Sequence, residues 1–125
     1  MAAFGTKGIV LPYAITPGSV YELDFRPTFV AVVEAVLRGS RQAELAAAFH
    51  TTMAVAIVDM TRRLSKIAGI KKVALSGGVF LNMTLLRQVI SMLEGDFIVL
   101  LNRHVPPNDG GLALGQAAVA IERSR

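Results

Sequence analysis

The sequence predicts an α/β fold in which helices cover a small parallel or mixed sheet. From residue 71 onward the pattern alternates strand, helix, strand, loop and helix, and such alternation favours parallel strands covered by helices. The chain has 125 residues, of which 53% are hydrophobic and only 18% are charged. A chain of this length and composition can bury a core of its own, so one ordered domain is expected.

The first 40 residues are predicted to contain short strands and one helix. Residues 1–19 are rich in Gly and Pro and are predicted as loop with one short strand, GIVLP (8–12). YELDF (21–25) alternates like a second short strand, and RPTFVAVVEAVLRG (26–39) has the apolar spacing of a helix. Gly39 suits the C-terminal cap of that helix.

The longest predicted element is a helix from about 41 to 68, capped by Ser40 and ended by Gly69. Large apolar residues recur along it at intervals of three and four, which predicts one buried stripe. The stripe consists of Leu45, Phe49, Met53, Ile57, Met60, Leu64 and Ile67.

The last third is predicted to contain two buried strands and two helices. KKVALSGG (71–78) predicts a strand over 73–75 that runs into glycines, and DFIVLLN (96–102) predicts the other strand. Asn82 can cap the helix between them, whose inward residues would be Leu85, Val89 and Leu93, with Gly95 closing it. The loop RHVPPNDGG precedes a last helix from Leu112 to Ile121. Because so few strands make a narrow sheet with an exposed edge, the chain is expected to be part of a larger protein.

The composition excludes several classes of protein. The chain has no cysteine, so it has no disulfide, thiolate metal site or thiol nucleophile. Charges interrupt every apolar run before 18 residues, and the N-terminus lacks the features of a signal peptide, so a cytoplasmic protein without a membrane span is expected. The net charge of +4 is scattered and has no interleaved aromatic residues, which argues against nucleic-acid binding.

The segment Ser76-Gly77-Gly78 follows a strand and precedes a helix. Glycines there allow close approach of a ligand, and backbone N–H groups can hold phosphate oxygens. A tight structural turn would need the same glycines, and neither a Walker loop nor GxGxxG is present. Both interpretations therefore stay open at this point.

Two polar residues near these glycines have the same ambiguity. Asn82 is placed as a helix cap, but its amide could also contact the ligand oxygens. Asp109 stands before Gly110 and Gly111, where either Asp109 or Asn108 could cap the last helix and where a carboxylate could bind a hard cation. His50, in the long helix, and His104, in an exposed loop, are not expected to be ligands.

Taken together, three motifs resemble the hydrogenase-maturation carbamoyltransferases of the HypF family. The motifs are AAAFHTTMA (46–54), VALSGGVFLNMTLL (73–86) and VPPNDGGLALGQAA (105–118), in that order, and YELDFRPTF (21–29) also fits. The resemblance covers about residues 20–120. It implies the actin-like ATPase fold of sugar kinases and heat-shock proteins, of which residues 20–125 would be the C-terminal, ribonuclease-H-like lobe.

The resemblance also implies a reaction and its partners. In the family, carbamoyl phosphate and ATP give carbamoyl-adenylate (carbamoyl-AMP), and the actin-like domain passes the carbamoyl group to the C-terminal cysteine of HypE for cyanide-ligand synthesis in [NiFe]-hydrogenase. By the resemblance, Ser76, Gly77, Gly78, Gly110 and Gly111 would face the nucleotide, with Asn82 beside the phosphates. Asp109 would bind a divalent metal, iron by the resemblance, together with two histidines spaced HxxxH.

This sequence contains no HxxxH motif, so those histidines would have to come from the other lobe or the remaining HypF domains. The isolated chain is therefore expected to be inactive. Two alternatives stay open: a fragment of a small-molecule O-carbamoyltransferase, and a non-catalytic interaction or dimerisation module. Exposed lobe surface could also let the chain form a homo-oligomer.

Overall fold

A computed structural model describes residues 8–124, so part of the predicted N-terminal loop lies outside the described residues. The chain divides between Gly69 and Ile70 into two compact units. The predicted division into a segment over 1–19 and a lobe over 20–125 stays a prediction.

The first unit begins with an antiparallel pair of short strands, β1 (Ala14–Thr16) and β2 (Glu22–Asp24). The strand predicted within 21–25 is confirmed, whereas the one predicted over 8–12 is wrong. That segment bonds a helix instead, because the Leu11 N–H donates to Thr52 Oγ1 at 2.8 Å. The next residue, Pro12, has no N–H with which to continue a strand ladder.

The first helix, α1 (Arg26–Leu37), has Pro27 in its first turn and is confirmed. It ends in a Schellman motif, in which Gly39 takes φ 77° and its N–H donates to the Val36 carbonyl. The Ser40 N–H donates to the Ala35 carbonyl at 3.0 Å. Ser40 therefore closes α1, and its predicted role as the cap of the next helix is wrong; that cap position is Arg41.

The second helix, α2 (Gln42–Ala68), is confirmed, and Gly69 ends it in the left-handed conformation. The predicted stripe is only partly right, because Leu64 and Ile67 are exposed. The fully buried positions are mostly smaller residues: Ala48, Thr52, Ala54, Ala56 and Val58. Small side chains let the neighbouring backbone approach closely, so the small residues of this helix are the most buried. A prediction based on the spacing of large apolar residues does not detect these positions.

The α2 helix also meets the length and composition criteria of a membrane span, with a mean hydropathy of 1.2 over 18 residues. This is weak evidence, because the core helix of a folded unit meets the same criteria. The five buried positions along α2 are consistent with such a core helix.

Specific polar contacts hold the first unit together. Buried Thr28 donates from Oγ1 to the Pro12 carbonyl at 2.7 Å, and Tyr13 donates from its hydroxyl to Asp59 Oδ2 at 2.5 Å. Phe29 of α1 lies against Phe49 of α2, with ring centroids 6.4 Å apart. These contacts fix the segment before β1 and the α1–α2 pair.

The second unit contains β3 (Lys72–Leu75), α3 (Met83–Leu93), β4 (Ile98–Leu101) and α4 (Leu112–Arg123). The two strands pair in parallel, with Lys72 opposite Ile98 and Leu75 opposite Leu101. The predicted order of elements and the parallel pairing are confirmed.

The core of this unit is the inner face of α3. Leu85, Val89 and Leu93 are buried, as predicted, together with Leu75 of β3. The prediction of two buried strands is only partly right for β3, where Leu75 alone is buried. It is wrong for β4, where Ile98, Leu100 and Leu101 are 56%, 50% and 41% exposed. Helix α4 has no buried residue either. A parallel pair normally has both faces covered, and here α3 alone supplies buried apolar residues among the helices of this unit.

Candidate functional site

Two glycine-containing loops meet in the second unit, where β3 and β4 end. Parallel strands have their carboxyl ends at the same edge of a sheet, and in open α/β sheets ligands bind at that edge. The Gly77 N–H donates to the Pro107 carbonyl at 2.8 Å. A Cβ built at Gly78 would lie 3.9 Å from Asn108 Cβ. The structure thus brings the predicted SGG and PPNDGG segments together.

The Gly77 backbone requires glycine. Its φ of 99° and ψ of 159° lie in a region that side chains with a Cβ rarely adopt, although a Cβ would meet nothing within 4 Å. The Gly77 N–H group is used by the Pro107 carbonyl, so any contact of Gly77 with a ligand would have to come from its other atoms. The 3-10 turn Gly78–Leu81 begins directly after it, and the first amides of such a turn have no acceptor within the turn.

The second loop is shaped by Asn108. Its Oδ1 accepts the Gly110 N–H at 3.1 Å, and its carbonyl accepts the Gly111 N–H at 3.0 Å. The cap of the short 3-10 turn Asp109–Gly111 is therefore Asn108 and not Asp109. Position 111 also requires a glycine, because a Cβ there would lie 2.8 Å from the Pro106 carbonyl oxygen.

Asp109 is exposed, and its carboxylate makes no hydrogen bond or ion pair among residues 8–124. The capping role that the sequence left open thus falls to its neighbour. An exposed carboxylate without an intramolecular partner can accept an external cation or donor. Asp109 therefore keeps the chemistry of a candidate ligand.

Asn82 caps helix α3, which is one of the two roles that the sequence left open for it. Its Oδ1 accepts the N–H groups of Thr84 and Leu85 at 3.1 and 3.2 Å. Because the cap uses this oxygen, any contact of Asn82 with a nucleotide would have to come from Nδ2.

A groove of about 750 Å³ lies beside the two loops and along α4. Ser76 and Gly111 line it, together with apolar residues that include Pro106, Pro107 and Val119. Gly78, Asn82 and Asp109 are not among its lining residues, so the groove and the predicted ligand residues overlap only in part.

The metal prediction rests on one residue of this chain. Within the described part of the chain, no three His, Cys, Asp or Glu side chains form a cluster that could hold a metal ion. One carboxylate does not make a metal centre, so the residues present do not fit a bound metal by themselves. His50 donates from Nδ1 to the Ala46 carbonyl at 2.9 Å, and His104 is exposed in its loop.

Sequence reasoning left open whether Asn108 or Asp109 is the cap, and it missed the Gly77–Pro107 bond. A signal for Asn108 was available, because asparagine before Asp-Gly-Gly favours a turn in which the side chain accepts an N–H two residues later. The Gly77–Pro107 bond had no sequence signal, since it joins residues 30 positions apart.

A parallel strand pair with two glycine loops joined at its carboxyl edge defines a lobe of the open α/β class. Residues 1–116 match the family described as carbamoyltransferase, Kae1-like domain, second subdomain. The chain belongs to this family.

Individual relatives agree with this membership. The chain is 36% identical over 119 residues to the carbamoyltransferase HypF2 of Cupriavidus necator, which covers 94% of the chain and 14% of that protein. It is 42% identical over 85 residues to the HypF of Rhodobacter capsulatus, covering 68% of the chain and 11% of that protein. The chain thus spans about one seventh or less of the length of these curated relatives.

Solved structures give the same result for the fold. A full-length HypF in a phosphate- and nucleotide-bound form superposes with a TM-score of 0.82 at 36% identity, over 90% of this chain and 15% of that one. The HypF of T. kodakarensis superposes with a TM-score of 0.74 at 25% identity, over 91% and 14%. The family and the α/β, actin-like fold class predicted from the sequence are confirmed.

Proposed function

We propose that this chain is the C-terminal lobe of a HypF-type carbamoyltransferase and supplies one wall of its nucleotide site. The observation that carries the proposal is the hydrogen bond from the Gly77 amide to the Pro107 carbonyl, which joins the two glycine loops at the sheet edge. It is supported by the structural match to a HypF described as phosphate- and nucleotide-bound. Ser76, Gly78, Asn82 and Gly110 complete the proposed wall, with Gly111 as a turn residue.

In the proposed reaction, the whole enzyme passes carbamoyl from carbamoyl-AMP, formed with ATP, to the C-terminal cysteine of HypE. The residues of this chain bind and orient the nucleotide, since the glycines leave room for phosphate oxygens and the turn at Gly78 presents backbone amides. The enzyme acts in the cytoplasm.

Asp109 is proposed as one ligand of a divalent metal shared with residues of the other lobe. Its exposed carboxylate is a suitable ligand for a hard cation, but one carboxylate alone binds such an ion weakly. No catalytic step follows from this single ligand. The remaining domains must supply the other ligands, and they also cover apolar surface that could otherwise let the chain self-associate.

The test is a calorimetric titration of ATP with a divalent metal into this chain, alone and combined with the remaining domains of a HypF protein. We expect binding by the combination and weak or no binding by the chain alone. Absence of binding in both cases would refute the nucleotide role and favour an interaction module. Turnover of carbamoyl phosphate, ATP and HypE by the chain alone would refute the proposed division of the site.

The metal role needs a separate variant in the combined protein. Asp109→Asn removes the charge and keeps the size of the side chain, and it should weaken the metal-dependent part of ATP binding. Glu94→Gln is the matched control, because it also removes one negative charge from an exposed side chain of the same unit, but before the other end of β4. Equal effects of the two variants would show that general charge, and not a ligand at Asp109, is responsible.

A further inference from the structure

Asn108 is the residue at which the two loops of the second unit are connected. Its side chain accepts from Gly110 at 3.1 Å and its carbonyl accepts from Gly111 at 3.0 Å. The residue before it, Pro107, accepts the Gly77 amide through its carbonyl. The Cβ of Asn108 is also the nearest heavy atom, at 3.9 Å, to the place a Cβ of Gly78 would take.

These contacts leave the backbone around Asp109 little freedom. The amides after it are held by Asn108, and Gly111 is enclosed so closely that a Cβ would lie 2.8 Å from the Pro106 carbonyl oxygen. The carboxylate of Asp109 has no contact of its own that could fix its position among the described residues. Its placement therefore depends on the backbone that Asn108 holds.

We propose that Asn108 is a positioning residue that couples the Gly77–Gly78 turn to the loop carrying Asp109. The expected consequence is that Asn108 sets the geometry of the nucleotide wall without touching the nucleotide, and this consequence rests on the proposed function. The coupling itself is a property of the ligand-free chain. It can therefore be measured independently of nucleotide binding.

The first measurement is solvent exchange of backbone amides by NMR in the ligand-free chain. In Asn108→Ala the Gly110 amide loses its acceptor, and we expect it to exchange about fivefold faster, the factor typical of a lost capping bond. Because the loops are coupled, the Gly77 amide should also exchange faster. Asn108→Ser keeps an acceptor oxygen at the cap and adds no charge, so it should restore most of the protection of both amides.

Two controls separate coupling from a general loss of stability. Asn102→Ala removes the same amide group from an exposed side chain that has no hydrogen bond among the described residues, and it should leave Gly77 and Gly110 unchanged. The amide of Val89, in the core of the unit, should keep its protection in every variant. Faster exchange of Gly110 alone, or equal acceleration at Val89, would overturn the proposal.

The second measurement is ATP binding by the chain combined with the remaining domains of a HypF protein. Asn108→Ala should raise the Kd for ATP by about the same factor as it accelerates exchange at Gly77, and Asn108→Ser should reverse most of that rise. If the wild-type combination binds no ATP, the proposed function fails, while the exchange data still decide the coupling. If wild type binds ATP and Asn108→Ala binds it equally well, the positioning role is overturned.

Discussion

The substitution Gly77→Ala tests whether the turn between β3 and the 3-10 segment is built as described. Gly77 has φ 99° and ψ 159°, and a Cβ there would meet nothing within 4 Å. Steric clash with neighbours is therefore absent, and the whole effect comes from the backbone. Holding an alanine in such a region costs about 1–3 kcal/mol.

The assay is hydrogen exchange of the α3 amides, because Leu85, Val89 and Leu93 form the core of this unit. If these amides exchange through opening of the unit, a cost of about 1–3 kcal/mol speeds their exchange roughly 5- to 150-fold. The Gly77 amide should lose protection as well, since the strained turn weakens its bond to the Pro107 carbonyl.

The matched control is Gly115→Ala, in helix α4. A Cβ at Gly115 also meets nothing within 4 Å, but the backbone there is helical. Alanine should stabilise this helix by about 0.5–1 kcal/mol, so exchange should be unchanged or slower. Unchanged protection of α3 in Gly77→Ala would refute the positive-φ turn and with it the geometry of the proposed nucleotide wall.

Three further predictions concern stability and titration. Leu93→Ala, at a fully buried position, should destabilise the second unit by about 2–5 kcal/mol in urea unfolding, whereas Leu112→Ala, at an exposed one, should stay within about 0.5 kcal/mol. Thr28→Val leaves the Pro12 carbonyl without its donor and should lower the free energy of unfolding of the first unit by about 1–3 kcal/mol. An unchanged free energy of unfolding in urea would contradict this prediction. Burial and the hydrogen bond to a carboxylate raise the pKa of Tyr13 to about 12. This contribution to stability is present below pH 10 and is lost as pH rises through about 12. An ultraviolet titration in which no tyrosine ionises near pH 12 would contradict it.

Local patterns predicted the elements well, because their causes are local. The Leu85, Val89 and Leu93 face, the Asn82 cap and the ending at Gly69 each depend on residues within a few positions. Ser40 was assigned to the wrong helix for a related reason. A serine can cap the helix that follows, but here its amide completes the motif that closes the helix before it.

Burial was less predictable, because it depends on what packs against an element. The apolar pattern of β4 suggested a buried strand, yet Ile98 and Leu100 are half exposed or more. An apolar strand of this kind is suited to a buried environment. Because β4 is exposed in this chain, its apolar residues are suited to contact surfaces outside the chain.

The candidate site shows the same separation between local and long-range causes. The glycines and Asp109 could be selected from sequence, but the bond between Gly77 and Pro107 depends on the parallel pairing of β3 and β4. That pairing fixes both loops at one edge of the sheet. The apolar surfaces of β4 and α4 nearby in the same unit are exposed. A lobe whose loops are held by hydrogen bonds at one edge while its apolar faces are exposed is suited to pack against further domains, and this is consistent with a chain that spans about one seventh of the length of its relatives.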